Sequence, residues 1–162
     1  MRVAYRVRQF VRALAGPRTA PQLGDFVVLL TPEQTALFAG MAVTDQRHCL
    51  AVAATLVAGG HGEADLLRAA LVHDAGKALA RIRLWQRVLY VLLNWLAPGL
   101  VHRLGSASAR GSLYGLYVLA HHAELAAGLV AQAGFSEAVA ALVRGEGDAR
   151  LQAALHSADE LN

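Results

Sequence analysis

TDQRHCLAVAATLVAGGHGEADLLRAALVHDAGKALA, residues 44–80, is the stretch whose reading decides the fold. It reads as two helices. Asp45 is placed to cap the first, which carries His48 in its first turn and runs to the Gly59-Gly60 pair. The second runs from Glu63 to about Ala80 and carries the adjacent His73 and Asp74. Upstream, Thr31-Pro32-Glu33-Gln34 opens another helix: Thr31 as N-cap, Pro32 at the first helical position, and Gln34 completing a capping box. Residues 17–30 read as a loop with a short apolar segment, DFVVLL. Before it, Val3, Val7, Phe10, Val11 and Leu14 share one helical face flanked by Arg2, Arg6 and Arg12, a basic amphipathic helix ended by Gly16-Pro17.

Downstream, residues 82–96 form a strongly apolar helix stopped near Pro98, and GSASARGS at 105–112 is a loop. A long helix spans about Leu113 to Ala133 and carries His121 and His122. Ser136 caps a short helix to Arg144, Gly145 and Gly147 break the chain, and Asp148 caps a last helix that ends with Asp159. About seven helices with no convincing strand predict an all-α helical bundle over residues 31–162, preceded by the amphipathic helix and loop of residues 1–30.

Composition agrees. The 162 residues are 56% hydrophobic and 17% charged, which suits one folded domain with a real core and argues against disorder. Cys49 is the only cysteine, so no intrachain disulfide forms. The net charge of +3 comes with no aromatic-interleaved basic run and no zinc-finger spacing, so specific nucleic-acid binding is not expected. The most apolar window, residues 84–101, contains Gln86, Arg87, Asn94 and Pro98, which disfavours a spanning helix. The expected setting is cytoplasmic, with peripheral membrane contact left open by the basic N-terminal helix. The oligomeric state is not legible. A phosphate-cradling P-loop and a GxSxG elbow are both lacking, which removes two large enzyme classes.

Seven histidines lie at 48, 61, 73, 102, 121, 122 and 156. Alone, His48 reads equally as a capping or surface histidine, and Asp159 as a frayed terminal carboxylate. Asp74 is harder to dismiss: among Leu71, Val72 and Ala75 it is a poor helix former in apolar surroundings. A buried carboxylate needs a partner, and a metal or other cation would serve. Cys49 reads as a small core residue, although it adjoins His48.

The order His48, then His73-Asp74 within LVHDAGKAL, then Asp159 within ADELN resembles the HD superfamily of metal-dependent phosphohydrolases, over about residues 44 to 162. TDQRHCLAVA, ALVHDAGKA, HHAELAAGLVAQAG and ADELN are similar to segments of small bacterial HD-domain proteins. The resemblance implies a divalent metal held by His48, His73, Asp74 and Asp159. Two imidazoles and two carboxylates suit manganese, iron, nickel, zinc or magnesium. It further implies that Gly76 serves close helix packing and that Lys77 lies near a substrate phosphate. Asp74 would be both ligand and proton acceptor. His122, with His121 beside it, falls where a second metal or the substrate would bind. The downstream histidine expected for a second metal is missing; the chain reads GEGD there, with Glu146 as a possible substitute. No GYP segment is found, which argues against the HD-GYP cyclic-dinucleotide phosphodiesterases.

The function implied is hydrolysis of a nucleotide or other small phosphate ester through metal-activated water, with Asp74 and Lys77 as catalytic residues. The alternative is a non-catalytic HD-type module that binds a nucleotide or a partner.

Overall fold

The computed structural model describes residues 19–80, 82, 84–97, 100 and 114–162. Among the described residues there are seven α-helices, two 3-10 helices and no strand, an all-α bundle as the sequence predicts. The helices are α1 (Pro32–Ala39), α2 (Val43–Ala58), α3 (Ala64–Val72), α4 (Leu84–Leu96), α5 (Tyr114–Gln132), α6 (Glu137–Arg144) and α7 (Ala149–Leu161). The 3-10 segments are Gly24–Leu29, which takes in all of the DFVVLL stretch but its last residue, and Ala75–Leu79, which follows α3. The expected N-terminal amphipathic helix and the 105–112 loop lie outside the described residues.

Local signals set most helix starts. Thr31 Oγ1 accepts from the Gln34 N–H at 3.3 Å, and Gln34 Oε1 accepts from the Thr31 N–H at 3.1 Å, closing the capping box of α1. Ser136 Oγ accepts from the Val139 N–H, and Asp148 Oδ1 from the N–H groups of Arg150 and Leu151. Gly145 ends α6 at φ 87°, a left-handed conformation that a side chain would oppose.

The helix α3 is the hub. Leu66, Leu67, Ala69, Ala70, Leu71 and Val72 are all buried, so it is apolar around most of its circumference. It packs against α2 (Cys49, Val52, Leu56), α6 (Val139, Leu142, Val143), α1 and α7. No described helix is long and apolar enough to cross a membrane.

Two expectations are corrected. First, α2 begins at Val43 with Ala42 as its N-cap, not at Asp45. Asp45 lies in the first turn, buried, where it accepts from both terminal nitrogens of Arg87 at 3.1–3.2 Å. A long-range ion pair takes the carboxylate that a local cap would have used.

Second, the helix from Glu63 does not run unbroken to Ala80. It stops at Val72, His73 is its C-cap, and Asp74 adopts φ −93°, ψ 2° before the 3-10 turn. The reason is at Gly76, where a Cβ would lie 2.2 Å from the His122 carbonyl oxygen and 2.7 Å from the Ala126 nitrogen. The turn therefore lies with its backbone directly on α5, closer than any side chain allows. At the contact α5 itself departs from helical geometry, at His121 (φ −117°, ψ 16°).

Neither backbone at this contact can yield as a flexible side chain would. Gly76→Ala should therefore lower the melting temperature by about 4 °C or more. Thermal unfolding followed by circular dichroism checks this; an unchanged midpoint would mean that the approach is not close.

Candidate metal centre

The break after α3 turns His73 and Asp74 toward α2 and the end of α7. His48 on α2 places Nε2 2.8 Å from Asp159 Oδ1 and 4.0 Å from Asp74 Oδ2. His73 places Nε2 3.8 Å from Asp74 Oδ1 and 3.6 Å from Asp159 Oδ1. The two imidazoles meet edge-on, with ring centroids 5.3 Å apart. One oxygen of Asp159 thus faces both ring nitrogens. Among the described residues, His48, His73 and Asp74 offer ligand atoms all within 4.8 Å of one another, a group that could hold a metal ion.

The orientation of His73 suits that use. His73 Nδ1 donates to the Ala70 carbonyl at 2.9 Å, one turn back on α3, leaving Nε2 to face the cluster. His73 Nε2 is buried and has no hydrogen-bond partner. A buried polar atom without a partner costs free energy unless something else satisfies it, and a cation between the two imidazoles and the carboxylates would do so. The donor set and the orphaned nitrogen therefore fit a divalent ion. Cys49 Sγ lies 3.6 Å from Nδ1, on the far side of the ring from Nε2, and burial raises its pKa. The thiol packs behind the imidazole rather than among the candidate ligands.

Asp74 is 2% exposed. Burial opposes its ionisation, but Lys77, His73, His48 and His122 outweigh burial and hold the carboxyl well below the usual carboxylate range. Lys77 Nζ donates to Asp74 Oδ2 at 2.5 Å, across one turn of the 3-10 segment. Burial works against the Lys77 charge too; Asp74 and then Asp45 restore it and raise the pKa. For Asp159, burial is overcome by the hydrogen bond from His48 and by the nearby His73 and His48 rings, and its pKa is also depressed.

Of the other expected residues, His122 belongs to this neighbourhood. Burial and then Lys77 lower its pKa, so the ring is neutral near pH 7. Its Nδ1 donates to the Leu119 carbonyl at 2.9 Å, which leaves Nε2 with a lone pair. His121 points elsewhere: its ring lies 4.7 Å from that of Tyr117 and its Nδ1 3.7 Å from Glu124. Glu146 pairs with Arg144 at 3.0 Å on an exposed turn. His61 and His156 pair with Glu63 and Glu160. Sequence reasoning missed the Asp45–Arg87 pair, whose charges act on Lys77. An arginine inside the apolar 82–96 helix was the signal available for it.

No family model, curated protein or solved structure matches this chain.

The electrostatics carry a prediction. His73 is raised well above the usual imidazole range: burial opposes the charge, and the neighbouring carboxylates of Asp74 and Asp159 outweigh it. A metal ligand must be the neutral imidazole. Below the His73 pKa, metal binding therefore displaces a proton, and apparent affinity should fall about tenfold per pH unit, levelling off above it. Titration calorimetry with zinc or manganese, in buffers of different ionisation enthalpy, should register that proton release. Affinity independent of pH between 5 and 8 would contradict the assignment of His73 as a ligand.

Proposed function

We propose that this protein is an HD-type phosphohydrolase acting on a nucleotide or another small phosphate ester, with a divalent ion held by His48, His73, Asp74 and Asp159. The observation that carries the reading is that these residues, from α2, the α3 break and α7, converge around the partnerless Nε2 of His73 with the buried Lys77 beside them. Such a donor set suits manganese, iron, nickel, zinc or magnesium. Bound there, the ion supplies Lewis-acid activation of water and of a phosphoryl oxygen.

The chain's own residues do the rest. Asp74 uses one oxygen toward His73 and the other toward Lys77. Its depressed pKa suits a permanent anion, a ligand more than a base. The neutral His122, with Nε2 carrying a lone pair, is the better proton acceptor. Lys77 is the one lysine of the chain, and its ammonium is held by Asp74 next to the candidate ligands. There it stabilises negative charge that builds on a phosphoryl oxygen. Arg87, clamped by Asp45, keeps a second positive charge in the same neighbourhood.

A second reading is a binding module without turnover. It is favoured by the engagement of Glu146 with Arg144 and by GEGD at the position where a further histidine was expected. Stabilisation of the protein by nucleotides in a thermal-shift screen, without phosphate release under any metal, would select it.

For the hydrolase, phosphate release from a panel of nucleotides and simple esters, with each of the five metals, should reveal a metal-dependent activity. Asp74→Ala should lower kcat/KM by roughly a hundredfold or more, and Lys77→Ala should lower kcat by a comparable factor. Activity that persists undiminished in Asp74→Ala would place the chemistry elsewhere.

A further inference from the structure

The helix α4 packs one side against α5 and leaves a large apolar face open. Trp85, Val88, Leu92, Trp95 and Leu96 are exposed, with Trp95 and Leu96 each 67% exposed. At helical spacing these five positions fall within an arc of about 100°. The opposite side carries Gln86, buried against Gly115, where a Cβ would lie 2.4 Å from the Gln86 amide nitrogen. The helix is therefore locked in rotation, and its outward face is fixed by packing.

The charge of the surrounding sequence says what such a face meets. Between Asp74 and Glu124 the chain contains Lys77 and five arginines, and no acidic residue. Before Asp25 it contains five more arginines, again with no acid. All 12 acidic residues lie outside these two stretches. Lys77 and Arg87 are engaged by Asp74 and Asp45, whereas in sequence Arg81 and Arg83 come just before α4 and Arg103 and Arg110 come after it. Tryptophans on an apolar helix face, bracketed by arginines and free of acids, match the interface of an anionic bilayer. The indole rings sit at headgroup depth and the arginines meet the lipid phosphates. A second copy of the chain would instead bring two acid-free basic stretches together, and like charges oppose that.

We infer that α4 is an in-plane membrane-binding helix that docks the protein on anionic lipid through Trp85, Val88, Leu92, Trp95 and Leu96. With 13 residues the helix is about 20 Å long. That is too short for a hydrocarbon core of about 30 Å, so the helix lies along the surface. The inference does not depend on the metal centre or on any hydrolase activity.

The test is built into the sequence, because Trp85 and Trp95 are the only two tryptophans. The full chain is mixed with phosphatidylcholine vesicles with and without phosphatidylglycerol, followed by tryptophan emission and co-sedimentation. The expected result is a blue shift and sedimentation with the anionic vesicles, both reversed by high salt. In Leu92→Gln/Leu96→Gln, two exposed positions whose change should leave the circular dichroism spectrum intact, binding should weaken by roughly tenfold or more. Binding that is unaltered in this variant would overturn the placement on α4. Absence of any binding would overturn the inference outright. So would a concentration-dependent dimer of the lipid-free protein that the same variant abolishes, since the face would then belong to a second copy.

Discussion

A carboxylate with 2% exposure stays ionised only if cations and donors surround it, and Asp74 is in that position. Its needs organise the molecule around it. Lys77 reaches it across a single 3-10 turn, which requires the helix to have ended at Val72. The turn comes close enough only because Gly76 lies directly on the α5 backbone. His48 and His73 add positive potential from α2 and α3, and Asp159 binds those imidazoles in turn from α7. The same carboxylate that would be costly to bury in isolation thus pins four segments to a common point. Removing its partner would leave an uncompensated buried charge, which costs about 3–5 kcal/mol in comparable pairs.

This arrangement also explains why the cluster is ready for a cation. The Ala70 carbonyl fixes the His73 tautomer, Cys49 backs the ring, and Nε2 is left buried and without a partner. Two carboxylates with depressed pKa values bring negative charge to the imidazole nitrogens. A site that is already oriented loses little on binding an ion, and a neighbouring ammonium is in place to meet an anion brought to it.

Much of the architecture was legible residue by residue. Thr31, Ser136 and Asp148 were recognisable as caps because a cap acts on N–H groups two or three residues away. Gly59 and Gly145 marked ends because a helix closes locally too, their N–H groups reaching back to carbonyls two to four residues earlier. The misreadings all involve partners distant in sequence. Asp45 has the chemistry of a cap, and only Arg87, 42 positions later, decides that it is a buried ion-pair member. The segment Glu63–Ala80 is helical by local pattern, and only the approach of Gly76 to α5 requires its interruption. For the site, the order His, His-Asp, Asp picks out residues that the fold brings side by side, while the roles of the Ala70 carbonyl and of Cys49 behind His73 depend on packing that no local pattern encodes.

The central claim, that His48, His73, Asp74 and Asp159 form a metal centre, is tested most directly by elemental mass spectrometry of the purified protein beside Asp74→Ala and His48→Ala. About one divalent ion per chain, lost in both variants while the helical spectrum is retained, is the predicted result. Protein that is free of metal as isolated, and that takes up none of manganese, iron, nickel, zinc or magnesium on reconstitution, would contradict it.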